Sequence, residues 1–379
     1  MADPSPRDKH LFGAGPKRIL ALDGGGVRGA LSLAFLERLE ETISEIEGRP
    51  TRLCDWFDLI GGTSTGAIIA TALALGYSAA EIRAFYFQLA PKVFRRSYFR
   101  ILGLQSKFDA NRLAAELRSV FAERTLDSDD LQTGLCLTLK RMDTGSSWIL
   151  MNNPRSAFWE TPADGSFAGN RHLPLVNLVR ASAAAPHFFD PELISIVEGQ
   201  PPGLFVDGGL TPHNNPSLIL ALVAVLPAYG LEWALGTGQL TIVSVGTGSF
   251  RPTLDPRSVS RIRPIGVALK ALTAQISEAQ QLVLTLMSWL GSSPTPWVIN
   301  SEIGDLGPVS PPFGPQFRFL RYDVRLEKAW LSRELDVLLD ERDIVRLRHM
   351  DDPANVRPCY DLGAKAAARQ IKKPDLVGP

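Results

Sequence analysis

The sequence predicts an α/β fold with a mainly parallel central sheet. A strand, glycine turn, helix unit occurs twice in succession near the amino terminus, and a third buried strand, Leu240 to Val245, again runs into a glycine turn, Gly246-Thr247-Gly248. Strands that alternate with helices in this way build a parallel sheet covered by helices. The 379 residues suffice for one large domain, and 45% apolar against 21% charged residues is an ordinary globular composition. We expect a flexible lead-in over 1–16, a single domain over 17–372 and a tail over 373–379. Within the domain, 17–250 carries the motifs and 251–372 is a largely helical C-terminal part.

The first unit opens with Arg18-Ile19-Leu20-Ala21-Leu22, a short strand broken by Asp23-Gly24-Gly25-Gly26-Val27-Arg28-Gly29. From Ala30 to Ile46, apolar residues recur at helical spacing (Leu33, Leu36, Leu39, Ile43), and Gly48 and Pro50 end the run. The second unit is Phe57 to Ile60, the turn Gly61-Gly62-Thr63-Ser64-Thr65-Gly66, and an alanine-rich helix closed by Gly76. Ser78-Ala79-Ala80-Glu81 is a capping box for a further helix to Ala90. Between Pro91 and Lys107, cations and aromatics mix (Lys92, Phe94, Arg95, Arg96, Tyr98, Phe99, Arg100), which suits either a solvated connector or an interfacial lid.

Asp109 caps a helix to Phe121, Leu135 to Met142 and Trp148 to Met151 are strands, and Ser156 to Gly169 is a polar loop. Leu175 to Ala185 is helical and halted by Pro186. Leu204-Phe205-Val206 is a strand that feeds directly into Asp207-Gly208-Gly209, and Asn215 followed by Pro216 starts a helix. Ile265 to Leu290 is a long apolar-rich helix, suited to covering one sheet face, to lying over the site, or to resting on lipid. Pro294 to Pro315 is a connector, Phe317 to Val324 an edge strand, and the remainder to Ile371 mostly helical.

Composition narrows the function classes. Basic and acidic residues number 40 each, so the phosphate-binding excess of a nucleic-acid protein is missing. Cys54, Cys136 and Cys359 have neither metal-type nor C-x-x-C spacing; no disulfide framework and no metal site is expected, and a reducing, cytoplasmic compartment fits. Met1 to His10 carries no secretory pattern, and the longest apolar run, Leu218 to Leu226, is far below the roughly 20 residues of a membrane span. Contact with a membrane surface stays open.

The chemistry is concentrated in three glycine-rich turns. Gly62-Thr63-Ser64-Thr65-Gly66 is G-x-S-x-G between a strand and a helix, a setting that thrusts a serine hydroxyl clear of the backbone. Ser64 is the candidate nucleophile, Gly62 and Gly66 leave room for the turn, and the Thr65 N–H is one expected oxyanion donor. Gly24, Gly25 and Gly26 supply a second set of backbone donors at a helix start. Arg28 either neutralises the oxyanion region or a substrate phosphate, or steadies the loop through a salt bridge. The same loop reads as G-x-G-x-x-G, but the next strand ends in Gly61-Gly62 rather than an acidic residue, so dinucleotide binding is rejected. Asp207 ends a strand before Gly208 and Gly209; it is either a base presented toward Ser64 or a turn-initiating aspartate. None of His10, His172, His187, His213 and His349 stands where a triad histidine would.

Together, Asp23-Gly24-Gly25-Gly26-Val27-Arg28-Gly29, Gly62-Thr63-Ser64-Thr65-Gly66 and Asp207-Gly208-Gly209 resemble the oxyanion loop, nucleophile elbow and Asp-Gly-Gly of the patatin-like phospholipases. The resemblance spans roughly residues 17–250 and maps no functional residue beyond them. It implies a three-layer fold whose mainly parallel central sheet is flanked by helices, and a Ser64–Asp207 dyad with Gly24, Gly25, Gly26, Arg28 and Thr65 at the oxyanion hole. It further implies hydrolysis of phospholipid or other acyl-ester lipids through an acyl-serine, with no cofactor. Two other readings follow from it: an effector of bacterial defence switched on by a nucleotide or other small molecule, and a catalytically silent lipid-binding module.

Overall fold

A computed structural model describes residues 4–94, 106–253 and 264–377. Its eight strands are β1 (Lys17–Leu22), β2 (Leu59–Thr63), β3 (Gly134–Arg141), β4 (Ser147–Met151), β5 (Glu192–Ile194), β6 (Gly203–Asp207), β7 (Leu240–Val245) and β8 (Arg318–Tyr322). They form one sheet in the order β5-β6-β3-β2-β1-β7-β8, with β4 paired to β3. The run β3-β2-β1-β7-β8 is parallel throughout, and the antiparallel pairs are confined to the β4, β5 and β6 side.

Alternation along the strands sorts side chains into two cores. Leu20 and Leu22 of β1 enter one and Ile19 and Ala21 the other; Val243 and Val245 of β7 oppose Leu240 and Ile242 in the same way. The smaller core is closed by α1 (Pro6–Phe12). The larger core receives α2 (Gly29–Glu47), α3 (Leu53–Trp56), α4 (Thr65–Ala74), α5 (Ala79–Val93), α6 (Ala110–Phe121) and α7 (Leu175–Ser182). The chain then returns to the smaller core with α8 (Ser217–Val225) and α9 (Pro264–Leu290). Last come α10 (Lys328–Leu335), α11 (Glu341–Arg348), α12 (Val356–Gln370) and α13 (Lys373–Val377), on the larger core again. The result is helices, sheet, helices.

Several boundaries differ from the sequence reading for local reasons. Residues 6–12 of the expected lead-in are helical, because Ser5 caps Asp8 and Leu11 enters the smaller core. Residues 373–377 of the expected tail are helical too, anchored by buried Leu376. α7 stops at Ser182, before the backbone must turn ahead of Pro186. Asn215 caps Ser217 through its Oδ1 at 2.9 Å, one residue further from the helix than expected. The three-residue β5 carries no pattern by which it could have been foreseen. The segment expected as a connector or lid lies, from 95 to 105, outside the described residues.

Candidate active site

Thr63, the last residue of β2, pairs with Thr138 of β3, and the next residue of β3, Leu139, pairs with Asp207 at the end of β6. The two strands flank β3 and run in opposite directions, and both end at the level of Thr138 and Leu139. This register places Ser64, just after Thr63, beside Asp207, 143 positions further along the chain: the Ser64 hydroxyl donates to Asp207 Oδ2 at 2.7 Å.

Ser64 has φ 55° and ψ −123°, a backbone state that a non-glycine residue adopts only when its surroundings enforce it. The enforcement comes from close approach on both sides. A Cβ on Gly62 would lie 2.1 Å from the Gly66 carbonyl oxygen, and a Cβ on Gly66 would lie 2.2 Å from that of Leu22. The Ser64 N–H is held by Ser182 Oγ at 2.9 Å, and the Ser182 hydroxyl donates to the Thr138 carbonyl at 2.7 Å. α4 then starts at Thr65, with its first N–H groups and positive dipole end at the turn.

Asp207 is buried, 6% exposed, and receives the Gly209 N–H on Oδ1 at 2.7 Å. Burial raises its pKa to about 6, against the opposing hydrogen bonds from Ser64 and Gly209. No histidine among the described residues hydrogen-bonds Ser64 or Asp207. Half-buried His213, its pKa lowered by burial, meets Thr63 through its carbonyl, which accepts the Thr63 hydroxyl at 2.6 Å. His187 lies exposed along the cavity wall at φ 71°.

The glycine loop approaches from β1. Thr65 Oγ1 and the Tyr86 hydroxyl both donate to the Gly26 carbonyl, at 2.9 and 2.5 Å, which fixes the orientation of that peptide. The Gly24 N–H is taken by the Asn214 carbonyl at 3.0 Å, whereas among the described residues the N–H groups of Gly25, Gly26 and Thr65 have no protein acceptor. Arg28 is buried; it donates to the Gly248 carbonyl at 2.8 Å and lies 5.3 Å from the Phe250 ring centroid. Among the described residues it makes no salt bridge with a carboxylate, the contact expected to steady the loop, and no hydrogen bond to Ser64 or Asp207. Gly208 and Gly209 complete the turn, where a Cβ on Gly208 would strike the Thr138 carbonyl at 2.1 Å.

Four contributors were not singled out from sequence: Ser182, Tyr86, and the pair Arg321 and Gln280 that hold Asp23. Only Arg321 left a trace, as an arginine inside a strand otherwise fit for burial. A cavity of about 360 Å³ opens beside Ser64, walled by Ile68, Leu89, Val93, Leu113 and Phe189 among others. Its mainly apolar wall suits a fatty-acyl chain.

The profile of the patatin-like phospholipase family matches residues 20–221. The chain is 32% identical to a cUMP-AMP-activated phospholipase of Escherichia coli, covering 67% of this chain and 72% of that one. It is 30% identical to a cGAMP-activated phospholipase of Vibrio cholerae, covering 64% of this chain and 67% of the relative. Among solved structures, human GIVD cytosolic phospholipase A2 aligns with 98% of this chain and 61% of its own, at 11% identity and a TM-score of 0.48. By the extent of the profile match and the identity to the Escherichia coli enzyme, this chain belongs to the patatin-like phospholipase family.

Proposed function

We propose that the chain is a serine-dependent phospholipase that cleaves fatty-acyl esters through a Ser64–Asp207 dyad. The observation that carries this reading is the 2.7 Å hydrogen bond from Ser64 Oγ to Asp207 Oδ2 at the edge of an apolar cavity. Asp207 takes the hydroxyl proton as Ser64 Oγ bonds to the ester carbonyl carbon, and the carbonyl oxygen becomes an oxyanion. The free N–H groups of Gly25, Gly26 and Thr65 receive that charge; Gly24 and Arg28 support the loop rather than the oxyanion. Collapse of the tetrahedral species breaks the bond to the alcohol, which leaves with the proton from Asp207. Water, deprotonated by Asp207, then adds to the acyl-Ser64 carbonyl, and the fatty acid departs as Ser64 recovers its proton.

An ordinary aspartate is a poor base at neutral pH, and a pKa raised to about 6 brings Asp207 closer to the serine it must deprotonate. The substrate class is phospholipid or a related acyl-ester lipid drawn from a membrane surface. Among the described residues no helix is long and apolar enough to cross a membrane, so approach from the surface is the route proposed. Two bacterial relatives are named for activation by cGAMP and cUMP-AMP, which supports a small-molecule trigger for this chain as well.

The decisive experiment is hydrolysis of phosphatidylglycerol vesicles, with and without cGAMP or cUMP-AMP, by wild type, Ser64→Ala and Asp207→Asn. Both variants should lose at least a thousandfold in rate, and a fluorophosphonate probe should label wild type but not Ser64→Ala. Full activity in either variant would sink the dyad.

A further inference from the structure

The cavity beside Ser64 has two chemical characters. The apolar wall named above takes the acyl chain under the proposed function, on which this inference rests. Another part of the wall is cationic, lined by Arg28, Arg251, Arg325 and Arg348. Of these, Arg251, Arg325 and Arg348 lie beyond the residues matched by the family profile.

The fold gathers them by extending two neighbouring strands past the sheet edge. Beyond β7 and β8, Ser249 bridges Arg325 in parallel: the Ser249 N–H donates to the Val324 carbonyl and the Leu326 N–H to the Ser249 carbonyl, each at 2.8 Å. Arg251 and Arg325 thus leave adjacent strands on the same side of the site. Phe250 lies between Arg28 and Arg348, whose guanidinium carbons are each 5.3 Å from its ring centroid, and Arg325 lies 4.9 Å over Trp297. Stacking of this kind holds a guanidinium plane in place without using its N–H groups.

Those N–H groups are unequally committed. Arg28 and Arg348 donate to the Gly248 and Leu326 carbonyls, whereas Arg325 makes one long contact, to the Ile299 carbonyl at 3.4 Å. Arg251 is exposed and has no hydrogen bond among the described residues. Only Arg348 has a carboxylate within 4.0 Å among the described residues, Glu341 at 3.9 Å. Three acidic side chains face the same cavity: Asp207, Asp351, which is paired with Lys107, and Glu327. Burial lowers the Arg325 pKa; Glu327 opposes that and Arg251 adds to it.

We propose that Arg251 and Arg325, backed by Arg348, form a phosphate subsite of this cavity. A guanidinium fork fits two phosphate oxygens at once, and a neutral acylglycerol offers it no anionic group. A glycerophospholipid whose ester sits at Ser64 carries such a phosphodiester only a glycerol unit away. A soluble nucleotide carries the same chemistry, and the two sources are separable by experiment.

The test compares kcat/KM for phosphatidylglycerol and for diacylglycerol of the same chains, in identical detergent mixed micelles. Wild type, Arg251→Gln, Arg325→Gln and the double variant are assayed, with unchanged melting temperature as the check on folding. A lipid-headgroup site predicts that the phospholipid-to-diacylglycerol ratio falls tenfold or more in the double variant, mainly through KM, and that Arg325→Lys recovers part of it. Adding cGAMP to the diacylglycerol assay tests the soluble source: stimulation of wild type that the double variant lacks assigns the subsite to a nucleotide phosphate. An unchanged ratio together with no variant-sensitive cGAMP response overturns the proposal. Equal losses on both lipids also overturn it. Ser64→Ala in parallel reports on the nucleophile, so failure of the serine reading is seen separately from failure of the subsite. Arg251→Gln, at an exposed position, keeps the test valid should Arg325→Gln fold poorly.

Discussion

Arg321 of β8 grips both carboxylate oxygens of Asp23, Nη1 to Oδ1 at 3.1 Å and Nη2 to Oδ2 at 2.7 Å, one residue before the glycine loop begins. The same guanidinium reaches Asp323 at 2.8 Å and Ser244 at 2.8 Å, and all three charged side chains are buried. Gln280 of α9 adds a hydrogen bond of 3.0 Å to Asp23 Oδ2. Elements far along the chain thus fix the start of the glycine loop. Arg321→Met should strand two carboxylates without a countercharge and lower stability by about 3–5 kcal/mol, read from urea unfolding. A loss below about 1 kcal/mol would mean that water or protonation relieves the pair more cheaply than the burial implies.

Gly26 combines φ 58° with a backbone so close that a Cβ would lie 2.2 Å from the Met350 carbonyl oxygen. That carbonyl also accepts the Val27 N–H at 2.8 Å, so it cannot move aside without freeing the loop. Gly26→Ala should reduce kcat/KM on a p-nitrophenyl ester about a hundredfold, on the order of the 3 kcal/mol of one oxyanion donor, with far-UV circular dichroism unchanged. Gly48 is the control: its φ is 68° at the end of α2, but nothing lies within 4 Å of its Cβ position. Gly48→Ala should cost about 1 kcal/mol of stability and leave activity alone.

Under the proposed dyad, the raised Asp207 pKa sets the pH profile. A base works deprotonated, so kcat/KM should rise with pH through about 6 and level off above it. The limb should stay in place in a His187→Ala, His213→Ala double variant. A limb near pH 4 would show that Asp207 is better solvated than its burial implies, and loss of the limb in the histidine variant would restore a triad.

Much of this site was legible because its chemistry and its backbone geometry are encoded in the same few residues. Gly62, Ser64 and Gly66 announce a tight turn and a candidate nucleophile at once, and Gly24 to Gly26 announce a loop of backbone donors, of which the Gly25 and Gly26 amides have no acceptor among the described residues. Asp207 was visible as a strand-ending carboxylate, but its distance from Ser64 depends on the pairing of β3 with both β2 and β6, a long-range register that no local pattern records. Ser182 and Tyr86 act through single hydroxyls on helices whose periodicity marks them only as buried. The arginine cluster was illegible for another reason. Arg251, Arg325 and Arg348 are far apart in sequence and look like ordinary surface charges until two strand extensions bring them together.

Asp207 should also weaken the fold that carries it. Its pKa is about 6 in the native state against an ordinary 3.8, so the native protein binds this proton more tightly than the unfolded chain does. Between those two values native stability falls as pH rises, by about 1.4 kcal/mol per unit and about 3 kcal/mol in all. Above pH 6 the full cost is present; below about pH 4 it is gone. Asp207→Asn removes the charge while keeping an acceptor for the Gly209 N–H and a donor for the Ser64 oxygen. The variant should therefore be inactive and yet more stable than wild type by about 1–3 kcal/mol at pH 8, with the advantage vanishing toward pH 4. Urea unfolding of both proteins at the two pH values measures this directly. An Asp207→Asn protein less stable than wild type at pH 8 would mean that the hydrogen bonds from Ser64 and Gly209 outweigh the burial of the carboxylate.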